Sequence, residues 1–194
     1  MRWLLITVST SGDPSSLRVH VWRKLKSLGA LYLQQSVCLL PERADTTRAV
    51  NRLLDRVRHE GGDGRSVRIA ILEPSEEQAI IGAFRAERAD EYIEVCSRTP
   101  AFMEEIESER AKGRTTYAEV EESEADLDRL RTWLSRIKAR DYFEAEGGDE
   151  AAKAVDTCAR TLAAFEADAL AADSTAGAPV RPKSTQRLRA VNDE

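Results

Sequence analysis

Apolar residues in the first 74 positions recur with two different periods, which predicts strands that alternate with helices. A run of apolar and β-branched residues at 3–8 is followed by turn-forming residues, a pattern typical of a buried strand. Between 17 and 28, leucine and valine recur at spacings of four, four and three, which predicts a helix with one apolar stripe. Gly29 is a suitable residue to end this helix.

Two short apolar runs follow, at 30–34 and 37–40, and they are separated by Gln35 and Ser36. This arrangement favours a β-hairpin, although one bent strand fits the pattern nearly as well. In either case the segment adds strand structure next to the first helix.

A second amphipathic helix is predicted to begin at Thr46 or Thr47 and to end near Gly61, with a last strand at 67–72. The resulting order, β-α-β-β-α-β, is the split β-α-β pattern of ferredoxin-like folds, in which both helices cover one face of an antiparallel sheet. Because the strand runs are so continuously apolar, the other face also needs a cover. We expect the later helices or a second subunit to pack there.

The rest of the chain has helical periodicity until it loses all pattern near its end. We expect two helices between Ser75 and about 112, divided at Pro100, because proline disrupts a helix interior. A long helix at about 117–143 and a final one at about 150–172 follow. The predicted fold class is therefore α+β, with a ferredoxin-like domain at 1–74, an α-helical C-terminal bundle at 75–172 and a disordered tail at 173–194.

Charge is distributed unevenly between these parts. Residues 1–74 contain 12 Lys and Arg against 7 Asp and Glu, a net charge of +5, whereas residues 75–194 contain 17 against 27, a net charge of −10. Positive potential concentrated on one module attracts anions such as nucleic acid or small oxyanions. The first module is therefore the place to look for a binding surface.

Two rows of basic residues lie on the predicted helices of this module. The first row is Arg18, Trp22 and Lys26, and the second is Arg48, Arg52 and Arg56. In each row the residues are spaced by four, which places their side chains on one helix face. An anion-binding surface is one interpretation, because guanidinium groups bind phosphate oxygens in pairs and a tryptophan can stack on a base. The alternative is a solvated helix face, with the tryptophan extending onto the core. The candidate DNA- or oxyanion-binding residues are Arg18, Trp22, Arg23, Lys26, Arg48 and Arg52.

The sequence offers little for catalysis or metal binding. Neither of the two histidines has a partner at metal-site spacing, and glycines 61, 62 and 64 follow a helix, so we interpret them as a flexible turn. Asp13 alone is weak support for a metal-dependent nuclease. We therefore expect no enzyme activity and no cofactor.

Cysteine usage and hydropathy indicate where the protein works. Three widely spaced cysteines make a disulfide framework improbable, which favours the cytoplasm. The apolar run at the start is short and is interpreted as a strand, not a signal peptide. No segment approaches the roughly 18 apolar residues of a membrane span.

Several stretches resemble a known family, the N-terminal domain of ChrB, the regulatory protein of bacterial chromate-resistance operons. They are W-L-L-I-T-V-S, the helix R-V-H-V-W-R-K-L-K-S-L-G-A, the strand S-V-C-L-L-P, and the later F-R-A-E-R-A-D-E-Y and L-D-R-L-R-T-W-L-S-R-I-K-A-R-D-Y-F. The first module also looks like the ferredoxin-like domain of PaaX-type repressors and of small CRISPR-adaptation nucleases. That wider likeness concerns fold more than function.

The resemblance to ChrB implies a cytoplasmic, chromate-responsive transcriptional regulator that binds operator DNA. Longer ChrB proteins continue into a separate chromate-resistance domain, so we expect this chain to be a single-domain form. No short helix-turn-helix is visible, and DNA contacts would come from the basic rows or the helical half. Two alternatives remain: a homodimeric module that serves a protein partner, and, more remotely, a nuclease.

Overall fold

The computed structural model describes residues 1–10 and 15–176 of the chain. Its first six elements have the predicted order β-α-β-β-α-β, and three helices follow. The strands are β1 (Trp3–Ser9), β2 (Leu31–Gln34), β3 (Val37–Pro41) and β4 (Asp63–Ile69). The helices are α1 (Ser15–Ser27), α2 (Ala44–His59), α3 (Pro74–Ala111), α4 (Tyr117–Ala139) and α5 (Gly148–Ala176). Residues 173–176 thus belong to α5, whereas the rest of the predicted tail lies outside the described residues, as does Asp13.

The four strands form one antiparallel sheet with the order β2-β3-β1-β4. β1 is central because it pairs with β3 on one side and with β4 on the other, so that Leu5 lies between Leu39 and Val67. β2 and β3 pair through a short turn, which confirms the predicted hairpin and excludes one bent strand. The predicted combination of a sheet with helices is observed, and β2 and β4 form the sheet edges.

The last strand lies earlier than predicted, at 63–69 instead of 67–72. Gly64, interpreted from the sequence as part of a turn, is a buried residue of this strand. A Cβ atom at Gly64 would lie 2.7 Å from Cδ2 of Leu54 in α2, so glycine lets the strand approach the helix closely. The turn itself is made before the strand, at Gly61, whose φ is +84°.

Helix α2 begins at Ala44, two residues before the earlier of the two predicted starts, Thr46 and Thr47, so Thr46 lies inside the first turn. The Oγ1 atom of Thr46 accepts a hydrogen bond from the backbone N–H of Arg43 at 3.0 Å and donates one to the carbonyl oxygen of Pro41 at 2.8 Å. These bonds satisfy groups that helix termini leave without partners. They also connect the start of α2 to the end of β3.

Helix α3 is one helix of 38 residues, so the predicted division at Pro100 is wrong. A proline inside a helix lacks the N–H that would bond to the carbonyl four residues earlier, here that of Cys96. The hydroxyl of Thr99 donates a hydrogen bond to this same carbonyl at 2.9 Å. The preceding threonine therefore supplies the donor that the proline removes, and the helix continues.

Helix α4 ends at Ala139, four residues before the predicted end at Phe143. The aromatic residues Tyr142 and Phe143 leave the helix and pack against the sheet. The Phe143 ring centroid lies 5.8 Å from that of Trp3 and 5.4 Å from that of Phe84. The gain from packing these rings outweighs the gain from one more helical turn.

Both faces of the sheet are covered, but not equally. The face with Leu4, Ile6 and Leu40 packs on α1 and α2. On the other face, Trp3 and Leu39 pack against Phe84 of α3, which confirms that a later helix covers this side. The cover ends partway across the sheet. On the same face, Leu33 of β2 and Val67 of β4 remain 48% and 52% exposed.

The helices α3, α4 and α5 share a separate apolar core, centred on buried side chains such as Val95, Ile137 and Phe165. Leu127, Leu134 and Ile137 of the predicted packing seam on α4 are buried in it. Among the described residues, no helix combines the length and apolar character needed to cross a bilayer.

Candidate functional site

Helix α1 carries the predicted row of Arg18, Trp22 and Lys26 on its solvent-facing surface. The Trp22 ring is 48% exposed, which is unusual for a side chain of this size. The Nζ atom of Lys26 lies 5.3 Å from the ring centroid, a distance at which a cation and an aromatic ring attract each other. The spacing of four residues therefore places a cation beside an exposed aromatic ring on one helix face.

Beneath this row, a cavity of about 300 Å³ opens between α1 and the β2–β3 hairpin. Its apolar lining comes from the sheet and from the inner face of α1, and its polar lining from Thr10 directly after β1, from α1 and from the hairpin turn. Arg18 and Trp22 both line it. The other lining residues are Val8, Thr10, Val19, Val21, Leu25, Tyr32, Gln35, Ser36 and Cys38.

The described residues that line the cavity give it a neutral interior and one charged side chain. Burial raises the pKa of the Cys38 thiol to about 12 and the pKa of the Tyr32 phenol to about 12, so both groups stay protonated near neutral pH. Among the described residues, Arg18 is the charged side chain that lines the cavity. Its Nε donates a hydrogen bond to Oγ1 of Thr10 at 3.4 Å, which leaves its other donor groups for a ligand.

The second basic row, on α2, does not line this cavity. Arg48 and Arg52 are exposed. Arg56, the next member of the row, pairs with Glu60 at 2.6 Å, and its Nη1 lies 3.1 Å from Nε2 of His20 on α1. The two helices therefore meet through Arg56 and His20.

The predicted binding cations of both helices have no neutralising partner in the part of the chain that the structure describes. Among the described residues, no carboxylate lies within ion-pairing distance of them, although other arginines of the same module pair with acids: Arg56 with Glu60, Arg58 with Asp55, and Arg68 with Glu42. Unpaired cations keep their full electrostatic potential at the surface. The five cations concerned are Arg18, Arg23, Lys26, Arg48 and Arg52.

Sequence reasoning missed a buried ion-pair network where α1 meets the helical half. Arg88 of α3 is only 4% exposed, and its Nε lies 3.0 Å from Oε2 of Glu91. Oε1 of Glu91 accepts a hydrogen bond from Nη2 of Arg140 at 2.9 Å. These three residues lie in two stretches that resemble the ChrB family, F-R-A-E-R-A-D-E-Y and K-A-R-D-Y-F. That resemblance was the sequence signal that could have identified the network.

Gly29, directly after α1, lies against this network. Its φ is +71°, and a Cβ atom there would lie 2.8 Å from Nη1 of Arg88 and 3.0 Å from Cβ of Arg140. Tyr142 donates a hydrogen bond from its hydroxyl to the carbonyl oxygen of Leu28 at 2.7 Å. These contacts fix the end of α1 to α3 and to the segment after α4. They thereby set the position of α1, the helix that lines the cavity.

No group of three or more His, Cys, Asp or Glu in the described part of the chain could hold a metal ion. The chemistry offered by the site on α1 is thus that of guanidinium, ammonium and aromatic groups around an apolar cavity. Such groups bind anions and stack on planar rings.

Comparison with protein families identifies the class. Residues 18–176 match the family model of protein ChrB, N-terminal. The match covers more than half of the chain, and the chain belongs to this family, which is associated with chromate resistance. No curated protein matches the chain, and no solved structure matches it.

Proposed function

We propose that this protein is a cytoplasmic, chromate-responsive transcriptional regulator that binds operator DNA through the outer face of α1. The observation that carries the proposal is the row of Arg18, Trp22 and Lys26, exposed and unpaired among the described residues, in a chain of the ChrB N-terminal family. We also assign residues 1–69 to the ferredoxin-like folds, an assignment supported by the strand order β2-β3-β1-β4.

The chemistry of the row suits DNA. Each cation that neutralises a phosphate releases condensed counterions, and this release supplies much of the affinity of DNA-binding proteins. Arg23, Arg48 and Arg52 extend the positive surface on the outer sides of α1 and α2. Chromate is a tetrahedral dianion, and arginine donors can bind several of its oxygens. We therefore expect chromate to compete for the same cations and to weaken DNA binding.

A promoter-binding titration with the full chain tests the proposal. Fluorescence anisotropy is followed with labelled DNA from upstream of the chromate-resistance gene, at several salt concentrations and with or without chromate. Removal of two phosphate contacts lowers the magnitude of the slope of log K against log salt by about two. We expect this decrease for the double variant Arg18→Ala with Lys26→Ala.

The matched control removes two arginines from α4, Arg129→Ala with Arg131→Ala, and so changes the net charge equally. Both are exposed and pair with neighbouring acids, Asp126 and Asp128. The control is expected to keep the wild-type slope. Absence of binding at low salt, or equal losses in the two double variants, would contradict DNA binding by α1.

A second candidate function is a homodimeric interaction module that serves a protein partner. The observation that favours it is that two apolar side chains on one face of the sheet stay about half exposed, Leu33 on edge strand β2 and Val67 on the opposite edge strand β4. An exposed, apolar strand edge is a surface on which another chain can pair. Light scattering after size exclusion accompanies the titration, and a stable dimer indifferent to DNA would support this second function over the first.

A further inference from the structure

The cavity under α1 differs from the basic surface around it, because its interior is apolar. Val8 of β1 and Val21 and Leu25 of α1 contribute aliphatic side chains, and Tyr32 and Cys38 contribute neutral ones. Its volume of about 300 Å³ lies at the lower end of the range for ligand pockets, which is roughly 300–1,000 Å³.

The polar groups that line the cavity belong to a different set of residues from the apolar ones. Among the described lining residues, Arg18 contributes the positive charge, and Thr10, directly after β1, and Ser36, in the hairpin turn, contribute hydroxyls. A ligand that fits this arrangement has an apolar body and one anionic group. A small inorganic oxyanion satisfies only Arg18, and a neutral apolar molecule leaves Arg18 without a counter-ion.

We propose that this cavity binds a small organic carboxylate with an aromatic or branched aliphatic body, whose carboxylate pairs with Arg18 while the body lies against Val21 and Leu25. The site goes beyond DNA or chromate binding, and the proposal stands whether or not the protein binds DNA. Trp22 covers one side of the cavity, and its ring provides a flat apolar surface for the body of the ligand.

Isothermal titration calorimetry with the full chain, in the absence of DNA and chromate, tests the site. The probes are benzoate, 4-isopropylbenzoate and 1-naphthoate, together with the neutral amide of each. We expect at least one carboxylate to bind with a Kd below about 1 mM and its amide to bind roughly tenfold more weakly. If no carboxylate reaches this affinity, the proposal is wrong.

Three variants locate the binding. Arg18→Gln is expected to lower carboxylate affinity roughly tenfold and to leave amide affinity unchanged. Lys24→Gln, the matched control, removes an exposed cation of α1 that does not line the cavity and is expected to change neither. Ser36→Phe places a ring at the exposed hairpin turn, where it obstructs the opening, and is expected to abolish binding of both probes.

These outcomes separate the site from nonspecific binding. Equal effects of Arg18→Gln and Lys24→Gln would mean that carboxylates respond to general surface charge, and an inert Ser36→Phe would place the binding elsewhere. Either result overturns the proposal. Because the measurement contains no DNA, failure of promoter binding leaves it unaffected, and the reverse also holds.

Discussion

The sheet module, residues 1–69, leaves several exposed cations without acidic partners among the described residues, whereas most arginines of the bundle formed by α3, α4 and α5 are paired. In the bundle, most arginines lie beside acids: Arg98 beside Glu94, Arg110 beside Asp168, and Arg160 beside Asp156. In the sheet module, the five cations Arg18, Arg23, Lys26, Arg48 and Arg52 have no such partners among the described residues, although Arg56 and Arg58 of α2 do. A count of charges cannot distinguish the two cases, because what matters for binding is the charge that remains unneutralised.

The two regions meet through arginine as well, but there the side chain is buried. Arg88 has carboxylates on two sides, Glu87 at 3.0 Å and Glu91 at 3.0 Å. A buried charge needs such partners because it has lost its water. The described residues thus include arginines that are buried and paired at the junction, exposed and paired on the bundle and at the end of α2, and exposed and unpaired on α1.

The largest expected effect distinguishes the buried arginine from the exposed, paired ones. Arg88→Ala removes one of the two arginines that pair with the largely buried carboxylate of Glu91. We expect the free energy of unfolding to fall by about 3–5 kcal/mol. Arg98→Ala, the matched control on the same helix, removes an exposed arginine 3.7 Å from its acid and is expected to change it by about 1 kcal/mol or less. Urea unfolding followed by circular dichroism measures both, and similar losses would remove the distinction.

A smaller effect is expected where the end of α1 touches this junction. Gly29→Ala forces a side chain into a left-handed conformation and against Arg88, and we expect a loss of about 2–4 kcal/mol in the free energy of unfolding. Gly113 has a similar φ, +68°, but no atom within 4 Å of an added Cβ, so Gly113→Ala should lose only about 1 kcal/mol. The difference between the two losses measures the free-energy cost of the clash between the added methyl group and Arg88. Equal losses would show that α1 is not held tightly against the bundle.

The sheet module was more predictable from the sequence than the bundle and the junction. Its strand and helix periods are local, and they gave the six elements in order. The continuous α3 was missed because its continuity depends on the Thr99 hydroxyl replacing a backbone donor, which periodicity does not register. The sequence predicted Phe143 to lie in a helix. Its position against the sheet depends on contacts with Trp3 and Phe84, which are distant in the sequence and leave no local pattern.

The candidate site was predictable only in part, for a similar reason. Spacing by four placed Arg18, Trp22 and Lys26 in one row, which is a property of a single helix. The cavity needs the hairpin beside α1, and the residues that it contributes, such as Tyr32 and Cys38, carry no local signal of a site. Likewise, the pairing of Glu91 with Arg140 joins α3 to the segment after α4, 49 residues away in the sequence.

The smallest expected effect concerns a third contact between the two regions, at Glu77 of α3. Its Oε1 accepts a hydrogen bond from Nε1 of Trp3 in β1 at 2.9 Å and lies 2.9 Å from the terminal amine of Met1. The Trp3 hydrogen bond, and then the one from the amine, lower the pKa of this carboxyl below its usual value of 4.5. A lowered pKa stabilises the fold at pH values above that of the unfolded carboxyl, and this contribution disappears as the pH falls through the folded pKa.

We therefore expect Glu77→Gln to reduce the free energy of unfolding slightly at pH 7 and to flatten its decline at acidic pH, between the usual glutamate pKa and the lower folded value. Urea unfolding from pH 3 to pH 7 measures this, and Glu76→Gln, one residue earlier in the first turn of α3, is the matched control. A parallel decline for wild type and Glu77→Gln would mean that the sheet and the bundle are not coupled through this carboxylate. The junction around Arg88 would then be the principal electrostatic link between the two regions.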